Sequence, residues 1–146
     1  MDWTGDIPAI LLAVVCGAVI GIERQFKHKP AGLRTNIMIC LGAAVFTLIS
    51  EKMSLGTQDS VTRIAAQIVT GVGFLGAGAV IQDRGGIHGL TTAATIWLVA
   101  SIGMACGARL YYLALITTVL ALGVLIGLGH IDKYFNHSDE KQHKSH

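Results

Sequence analysis

Charged residues are scarce in this sequence, and their absence from long stretches is its clearest feature. Asp, Glu, Lys and Arg make up 14% of the 146 residues, and 52% of the residues are hydrophobic. A typical soluble domain carries about 25% charged residues. The charges present lie in short groups between five stretches that contain no Asp, Glu, Lys, Arg or His. This pattern predicts an integral membrane protein embedded in a lipid bilayer.

Other absences exclude whole classes of function. The net charge is only +2, and no basic stripe with interleaved aromatic residues occurs, so no nucleic-acid partner is expected. No G-x-S-x-G, H-E-x-x-H or G-K-[ST] motif is present, which argues against an enzyme. Cys16, Cys40 and Cys106 lie in different apolar stretches without C-x-x-C pairing. That placement favours buried apolar residues over a metal or redox site.

The five uncharged stretches predict five transmembrane helices. Within a bilayer the backbone must satisfy its own hydrogen bonds, so each stretch is expected to be helical. A spanning helix needs about 20 residues, which the first two stretches reach only with flanking residues. The predicted fold is an all-α bundle forming one transmembrane domain over residues 1–129, followed by a polar, disordered cytoplasmic tail over 130–146. The predicted helices cover residues 7–22, 36–50, 64–81, 90–106 and 110–128.

The basic residues predict the orientation of this bundle. Eight of them fall on one side of the predicted spans and three on the other, because odd-numbered and even-numbered connections alternate sides. The excess of Lys and Arg marks the cytoplasmic side. The N-terminus is therefore expected outside and the C-terminal tail inside. The majority are Arg24, Lys27, Lys29, Arg34, Arg84, Lys133, Lys141 and Lys144, and the minority are Lys52, Arg63 and Arg109.

The run GVGFLGAG at residues 71–78 matches the spacing G-x-G-x-x-G of a dinucleotide-binding loop. It lies inside an uncharged stretch, with no predicted strand before it and no acidic residue about 20 positions on, so the match does not indicate a nucleotide site. Small residues four apart instead predict close helix packing in lipid. The predicted packing residues are Ala13, Gly17 and Gly21 in the first stretch, Gly73 and Ala77 in the third, and Gly103 and Gly107 in the fourth.

Polar residues gather at the predicted cytoplasmic ends of the helices, and three interpretations of them remain open. They could form a structural clasp, in which Arg residues pair with the carboxylates of Glu23 and Asp83. They could form an ion or small-anion vestibule, with Glu23 and Asp83 as candidate Mg²⁺ ligands. They could form a docking face for another protein. The residues concerned are Glu23, Arg24, Arg34, Asn36, Asp83, Arg84 and Thr92, with Arg63 and Gln67 as a polar edge on the third helix.

Several blocks of this sequence resemble the MgtC/SapB family of bacterial inner-membrane proteins. They occur in order and cover roughly residues 8 to 128: IGIERQ (20–25), AGLRTN (31–36), LGAAVF (41–46), RIAAQIVTGVGFLGAGAVI (63–81) and GLTTAATIWLVASIGMACG (89–107). The resemblance implies a multi-pass, five-helix protein of the cytoplasmic membrane. Members of the family are linked to growth at low magnesium, to survival inside host cells and to membrane energetics, and some bind the proton-translocating ATP synthase.

Matched by position, the signature polar residues of the family fall on Glu23, Arg24, Arg34, Asn36, Arg63, Gln67, Asp83 and Thr92. The sequence resembles the short, SapB-like branch, because longer members carry a cytoplasmic C-terminal domain beyond the matching region. Thr91 stands where some virulence-associated members have Asn, and both departures weigh against inhibition of ATP synthase.

The function expected from these observations is non-enzymatic. The protein is predicted to modulate magnesium and membrane-energy homeostasis through partner membrane proteins, as a homo-oligomer with a dimer favoured. No cofactor is expected apart from the candidate Mg²⁺. The alternative is a transporter or channel for Mg²⁺ or a related ion. Such proteins place polar or acidic groups near the middle of the membrane, where these spans offer only Gln67, Asn36 and hydroxyl groups.

Overall fold

The structure of the protein, a computed structural model, describes residues 5–53, 58–83 and 86–143, with the side chains of 58–62, 82–83 and 129–143 outside the description. The described residues form five α-helices and one short antiparallel hairpin. The all-α fold with five helices is therefore confirmed. The elements are α1 Ile7–Phe26, α2 Leu33–Met53, α3 Gln58–Gly78, β1 Ile81–Asp83, β2 Gly86–His88, α4 Leu90–Gly107 and α5 Tyr111–His143.

Four helical segments in the described chain are long and apolar enough to cross a membrane. They are Ile7–Phe26, Leu33–Met53, Leu90–Gly107 and Tyr111–Leu128. The chain is therefore a multi-pass membrane protein. The third helix, α3, is not among the four, so the fifth span and the orientation of the bundle stay predictions.

The helix boundaries differ from the predicted ones where polar residues join a helix. α1 continues past residue 22 to Phe26, which places Glu23 and Arg24 inside its last turns. α2 begins at Leu33 rather than 36. α3 ends at Gly78 rather than 81, because Ile81 begins β1 and pairs with His88 of β2.

The last helix extends past its predicted end at residue 128, into the segment that was predicted to be a polar tail. α5 continues to His143. After Gly129 the sequence contains neither Gly nor Pro, the residues that most often interrupt a helix. A polar sequence without breakers can therefore extend the preceding helix instead of leaving it.

Small residues bring α1, α2 and α4 into close contact at the centre of the bundle. A Cβ built on Gly17 would stand 2.9 Å from the carbonyl oxygen of Asn36, and one on Gly107 would stand 2.5 Å from that of Ala44. Gly103 lies against the carbonyl group of Cys40 in the same way, and Ala13 is fully buried. In lipid such close approach of backbones supplies the dispersion contacts that hold helices together.

α3 packs through a different face from the one that the sequence suggested. Gly73 and Ala77 are exposed, and nothing in the structure lies within 4 Å of a Cβ built on Gly73. Ile68 and Val72 are buried instead, in a group that includes Ile96 of α4. The larger side chains provide more apolar contact with α2 and α4 than glycine and alanine could.

The bundle has two polar ends. We call one the hairpin end, which holds residues 27–32 between α1 and α2 together with the β-hairpin. Ala79, which lies between α3 and β1, packs against the buried group that contains Ala31, so the two connections lie at the same end. We call the other the clamp end, which holds Asp6, Glu51, Lys52 and Arg109.

Candidate functional site

The hairpin end contains a buried ion cluster built within the last turns of α1. The side chains of Glu23 and Arg24 are 8% and 3% exposed. Arg24 donates from Nε to Oε2 of Glu23 at 2.6 Å and from Nη2 to Oε1 at 3.1 Å. Lys27, one turn further on, places its Nζ 2.7 Å from Oε1. Both carboxylate oxygens of Glu23 are thus paired with cations.

Lys27 also connects this cluster to the last helix. Its Nζ donates to the carbonyl oxygen of Leu125 in α5 at 2.7 Å. Leu125 lies in the final turn of the candidate span Tyr111–Leu128, so the contact ties the hairpin ends of α1 and α5 together. Lys27 is one-third exposed, and it was not among the predicted functional residues. Its spacing of four residues from Glu23 is the signal that could have found it.

Asn36 lies fully buried at the start of α2 and holds the preceding turn in place. Its Nδ2 donates to the carbonyl oxygens of Ala31 and Gly32, both at 2.8 Å. Within the described chain, Oδ1 of Asn36 and Nη1 of Arg24 are buried atoms without a hydrogen-bond partner. An unpaired buried polar group costs about 1–3 kcal/mol. The surrounding contacts must therefore offset the cost of leaving these two atoms unpaired.

Two other members of the predicted polar cluster occupy separate places. Arg34 is exposed near the start of α2 and forms no ion pair with the described residues. Thr92 is buried in the first turn of α4. The structure therefore brings together Glu23 and Arg24 but leaves Arg34 at the surface.

The remaining members lie on α3 and around the hairpin. Arg63 and Gln67 are exposed on α3, and Arg63 lies towards the clamp end, away from Glu23. Asp83 belongs to β1, with its side chain outside the description, and Arg84 lies outside the described residues. The predicted pairing of Asp83 and Arg84 with the other charges is therefore not part of the described geometry.

The described residues do not assemble a metal site. No group of three or more His, Cys, Asp or Glu side chains among them could hold a metal ion. Glu23 already uses both oxygens for Arg24 and Lys27, and those cations would repel Mg²⁺. The candidate pair Glu23 and Asp83 extends beyond the described side chains, so Mg²⁺ binding there stays a prediction.

The clamp end contains a second ion cluster that the sequence analysis missed. Asp6 is 2.5 Å from Nζ of Lys52 through Oδ2 and 3.0 Å from Nη2 of Arg109 through Oδ1. Nη1 of Arg109 donates to both carboxylate oxygens of Glu51, at 2.7 and 2.8 Å. The signal available in the sequence was that acidic and basic residues flank the apolar stretches on the same predicted side of the membrane. The cluster joins the start of α1, the end of α2 and the turn between α4 and α5.

These contacts shift the pKa values of two groups at the clamp end. The hydrogen bond from Lys52 lowers the pKa of Asp6 below its usual 3.8, with burial opposing the shift and Arg109 adding to it. The hydrogen bond to Glu51 raises the pKa of Arg109, with a further contribution from Asp6. Both shifts favour the charged forms of Asp6 and Arg109, so these two groups remain ionised at neutral pH.

A groove runs between α2 and α3 on the outside of the bundle. It has a volume of about 780 Å³ and is lined by residues from Met38 to Ile49 of α2 and from Ile64 to Leu75 of α3. Gln67 is the single polar side chain among the residues that line it. Gln67 was predicted to be part of a polar edge on the third helix, and the sequence pattern did not predict a groove.

Comparison with known proteins places this arrangement in a family. The sequence model of the MgtC family matches residues 10–134, which is most of the chain. The chain belongs to the MgtC family. The matched region of this MgtC-family chain contains the hairpin-end cluster, the groove and three of the four clamp residues, whereas Asp6 precedes it.

The relatives of this MgtC-family chain include proteins that carry the family name. Protein MgtC of Salmonella typhimurium strain 14028s is 49% identical over 113 residues, covering 77% of this chain and 48% of that protein. Protein MgtC of Brucella abortus strain 2308 is 47% identical over 112 residues, covering 77% and 46%. An uncharacterised protein of Synechocystis is 38% identical over 137 residues, covering 94% and 58%. The chain thus spans about half the length of these curated relatives. No solved structure matches it.

Proposed function

We propose that this MgtC-family chain is a non-enzymatic modulator of magnesium and membrane-energy homeostasis in the bacterial inner membrane. It acts by contact with partner membrane proteins, among which the ATP synthase is a candidate. Its N-terminus faces outward, α3 is a fifth span, and the hairpin end faces the cytoplasm. The family resemblance supports the physiological role, and the basic residues near the hairpin end support the orientation.

The observation that carries this proposal is the separation of charge in the bundle. The described ion pairs lie at the two ends, and each carboxylate in them is already neutralised by Lys or Arg. Between the ends, buried hydroxyl groups serve their own helices: Thr95 donates to the carbonyl oxygen of Thr91, and Thr118 to that of Ala114. A continuous polar route is therefore absent among the described residues, which favours contact over transport.

The hairpin end offers exposed cations for such contact. Lys29 and Arg34 are exposed there, and Arg34 forms no described ion pair. An acidic surface on a partner membrane protein would complement this patch and orient the encounter.

The charge of Arg34 tests this proposal directly. Bacteria that lack their own MgtC-family protein would produce the wild-type chain, Arg34→Glu or Arg34→Lys at matched abundance. Growth and membrane potential would then be measured at limiting magnesium. We expect Arg34→Glu to lose the effect of the wild type and Arg34→Lys to keep it, because only the reversal repels an acidic partner. Equal activity of all three chains would contradict a contact through this patch.

A flux measurement distinguishes the proposal from the alternative of an Mg²⁺ transporter or channel. The purified full chain would be placed in liposomes that contain a magnesium-sensitive dye. We expect no influx above that of protein-free liposomes. Influx that is present in the wild type and lost in Glu23→Gln would establish transport and overturn the contact mechanism.

A further inference from the structure

The exposed face of α3 presents a polar group at the depth of the membrane interior. Gln67, Gly71 and Phe74 follow one another at i, i+4 and i+7, so they form a single stripe on α3. Gln67 and Gly71 line the groove. Phe74 is 82% exposed. The neighbouring Ile68 is buried in one group with Ala43, the middle residue of α2. Gln67 also lines the groove together with residues 38–49 of α2, which include the middle of that candidate span.

The amide of Gln67 has no partner of its own in this position. It forms no hydrogen bond with the described residues. A side-chain amide carries two donors and one acceptor, and leaving them unpaired in hydrocarbon is costly. Lipid chains can fill the apolar groove but supply neither a donor nor an acceptor. The occupant should therefore bring both to the level of Gln67.

We infer that the α2–α3 groove is the interface of a homodimer. A second copy related by a two-fold axis along the membrane normal brings its own Gln67 opposite the first. Each amide then donates to the carbonyl oxygen of the other, so one residue type satisfies both partners. An isologous interface needs this kind of self-complementary surface. Interhelical hydrogen bonds of Gln are a known means of association in lipid.

The shape of the surface is self-complementary as well. Phe74 projects beside the groove, and the groove of the second copy is open to receive it. Gly42 and Gly71 line the groove, and nothing lies within 4 Å of a Cβ built on either one. That open space lets the two α3 helices approach closely while each Phe74 fills the opposite groove. The interface gives a specific place to the predicted dimer. It rests on the fifth span of the proposed function, but not on the proposed physiological role.

Two glycines on α3 provide a matched test of this interface. Gly71 lies in the groove, whereas Gly73 lies on another face of the same helix; both are exposed with open space around them. Replacing either glycine with leucine should leave the fold of one copy intact. Full-length chains carrying donor or acceptor dyes at the C-terminus would be reconstituted in phosphatidylcholine vesicles. Energy transfer would be followed as the protein-to-lipid ratio falls.

The expected result is concentration-dependent energy transfer in the wild type and in Gly73→Leu, with dimerisation strongly weakened in Gly71→Leu. Gln67→Leu should weaken it by roughly 3- to 30-fold through loss of the paired amides, and Gln67→Asn should weaken it less. Absence of energy transfer in the wild type, or equal loss in Gly71→Leu and Gly73→Leu, would overturn the inference. Unchanged dimerisation in Gln67→Leu would also overturn it, because the paired amides would then contribute nothing to the interface. None of these outcomes depends on magnesium or on another protein, so failure here is distinct from failure of the proposed function.

Discussion

At Gly21 the backbone of α1 passes so close to α2 that a methyl group could not fit without movement. A Cβ at this position would stand 2.8 Å from the Cα of Leu33 and 3.0 Å from its carbonyl oxygen. Both atoms belong to the backbone and cannot move aside by a rotamer change. Gly123 on α5 is the opposite case, because a Cβ built there would meet nothing within 4 Å.

Replacing Gly21 with alanine should therefore separate α1 from α2. We expect Gly21→Ala to lower the free energy of unfolding by about 1–3 kcal/mol, the usual cost of overpacking. Gly123→Ala is the control, and it should be neutral or slightly stabilising because alanine favours the helix. Unfolding by a graded increase of denaturing detergent would measure both. Equal stability of the two variants would show that the α1–α2 contact tolerates a wider spacing.

Two helix ends are built from residues in the left-handed backbone region. His28 has φ 53° after α1, and Arg109 has φ 60° after α4. Glycine usually takes this position, and another residue costs about 1–2 kcal/mol there. At Arg109 the side chain offsets this cost through its contacts with Asp6 and Glu51. Arg109 therefore both forms the turn between α4 and α5 and takes part in the ion cluster of the clamp end.

At the scale of elements, the clamp end joins helices that are far apart in sequence. Asp6 precedes α1, Lys52 closes α2, and Arg109 lies between α4 and α5. The hairpin end uses Lys27 for a similar purpose, from α1 to α5. Each end of the bundle thus has a polar tie outside the apolar packing.

The clamp predicts a pH-dependent contribution to stability. Because Lys52 and then Arg109 lower the pKa of Asp6 in the folded protein, the ionised carboxylate stabilises the fold at pH values above 3.8. That contribution is lost as the pH falls through the lowered pKa. We expect Asp6→Asn to melt at a lower temperature than the wild type at pH 6, and we expect the difference to shrink as the pH falls below about 3.8. Thermal melts in detergent between pH 6 and pH 3 would measure this. A difference that persists unchanged at pH 3 would contradict the role of Asp6 ionisation.

The buried face of α3 could not be predicted from the spacing of its own residues. The small pair Gly73 and Ala77 is as regular as the pairs of α1 and α4, yet it is exposed. Ile68 and Val72 make the contact instead. Which face of a helix is buried depends on the surfaces of its neighbours, and spacing within one helix carries no information about them.

For the whole molecule, labelling from the two sides of the membrane tests the arrangement of the bundle. His28 and His88 are exposed near the hairpin end, and Ala108 is exposed near the clamp end. In intact cells, a membrane-impermeant thiol reagent should reach Ala108→Cys but neither His28→Cys nor His88→Cys. The native cysteines are buried, so the wild type serves as the unlabelled control. If His28→Cys and His88→Cys react from opposite sides, the bundle does not have the described arrangement.

The candidate site was predictable in part, for reasons visible in particular residues. Glu23 and Arg24 were recognisable because charges beside a long apolar stretch need partners. Their actual partners include Lys27, one helical turn away, because α1 extends beyond its uncharged part. The clamp was not predicted, since its four residues come from distant segments that only packing brings together. Arg34, which the sequence placed with the others, is carried outward by the direction of the first turn of α2.

The sequence by itself determined that this chain is helical, membrane-embedded and a member of the MgtC family. Uncharged stretches of this length leave the backbone no other way to satisfy its hydrogen bonds in lipid, and the family blocks are a linear property of the chain. Only the tertiary structure decided which glycines lie between helices, which charges pair and where Gln67 is exposed. Those outcomes depend on distances between segments separated by tens of residues, and such distances arise only when the helices pack.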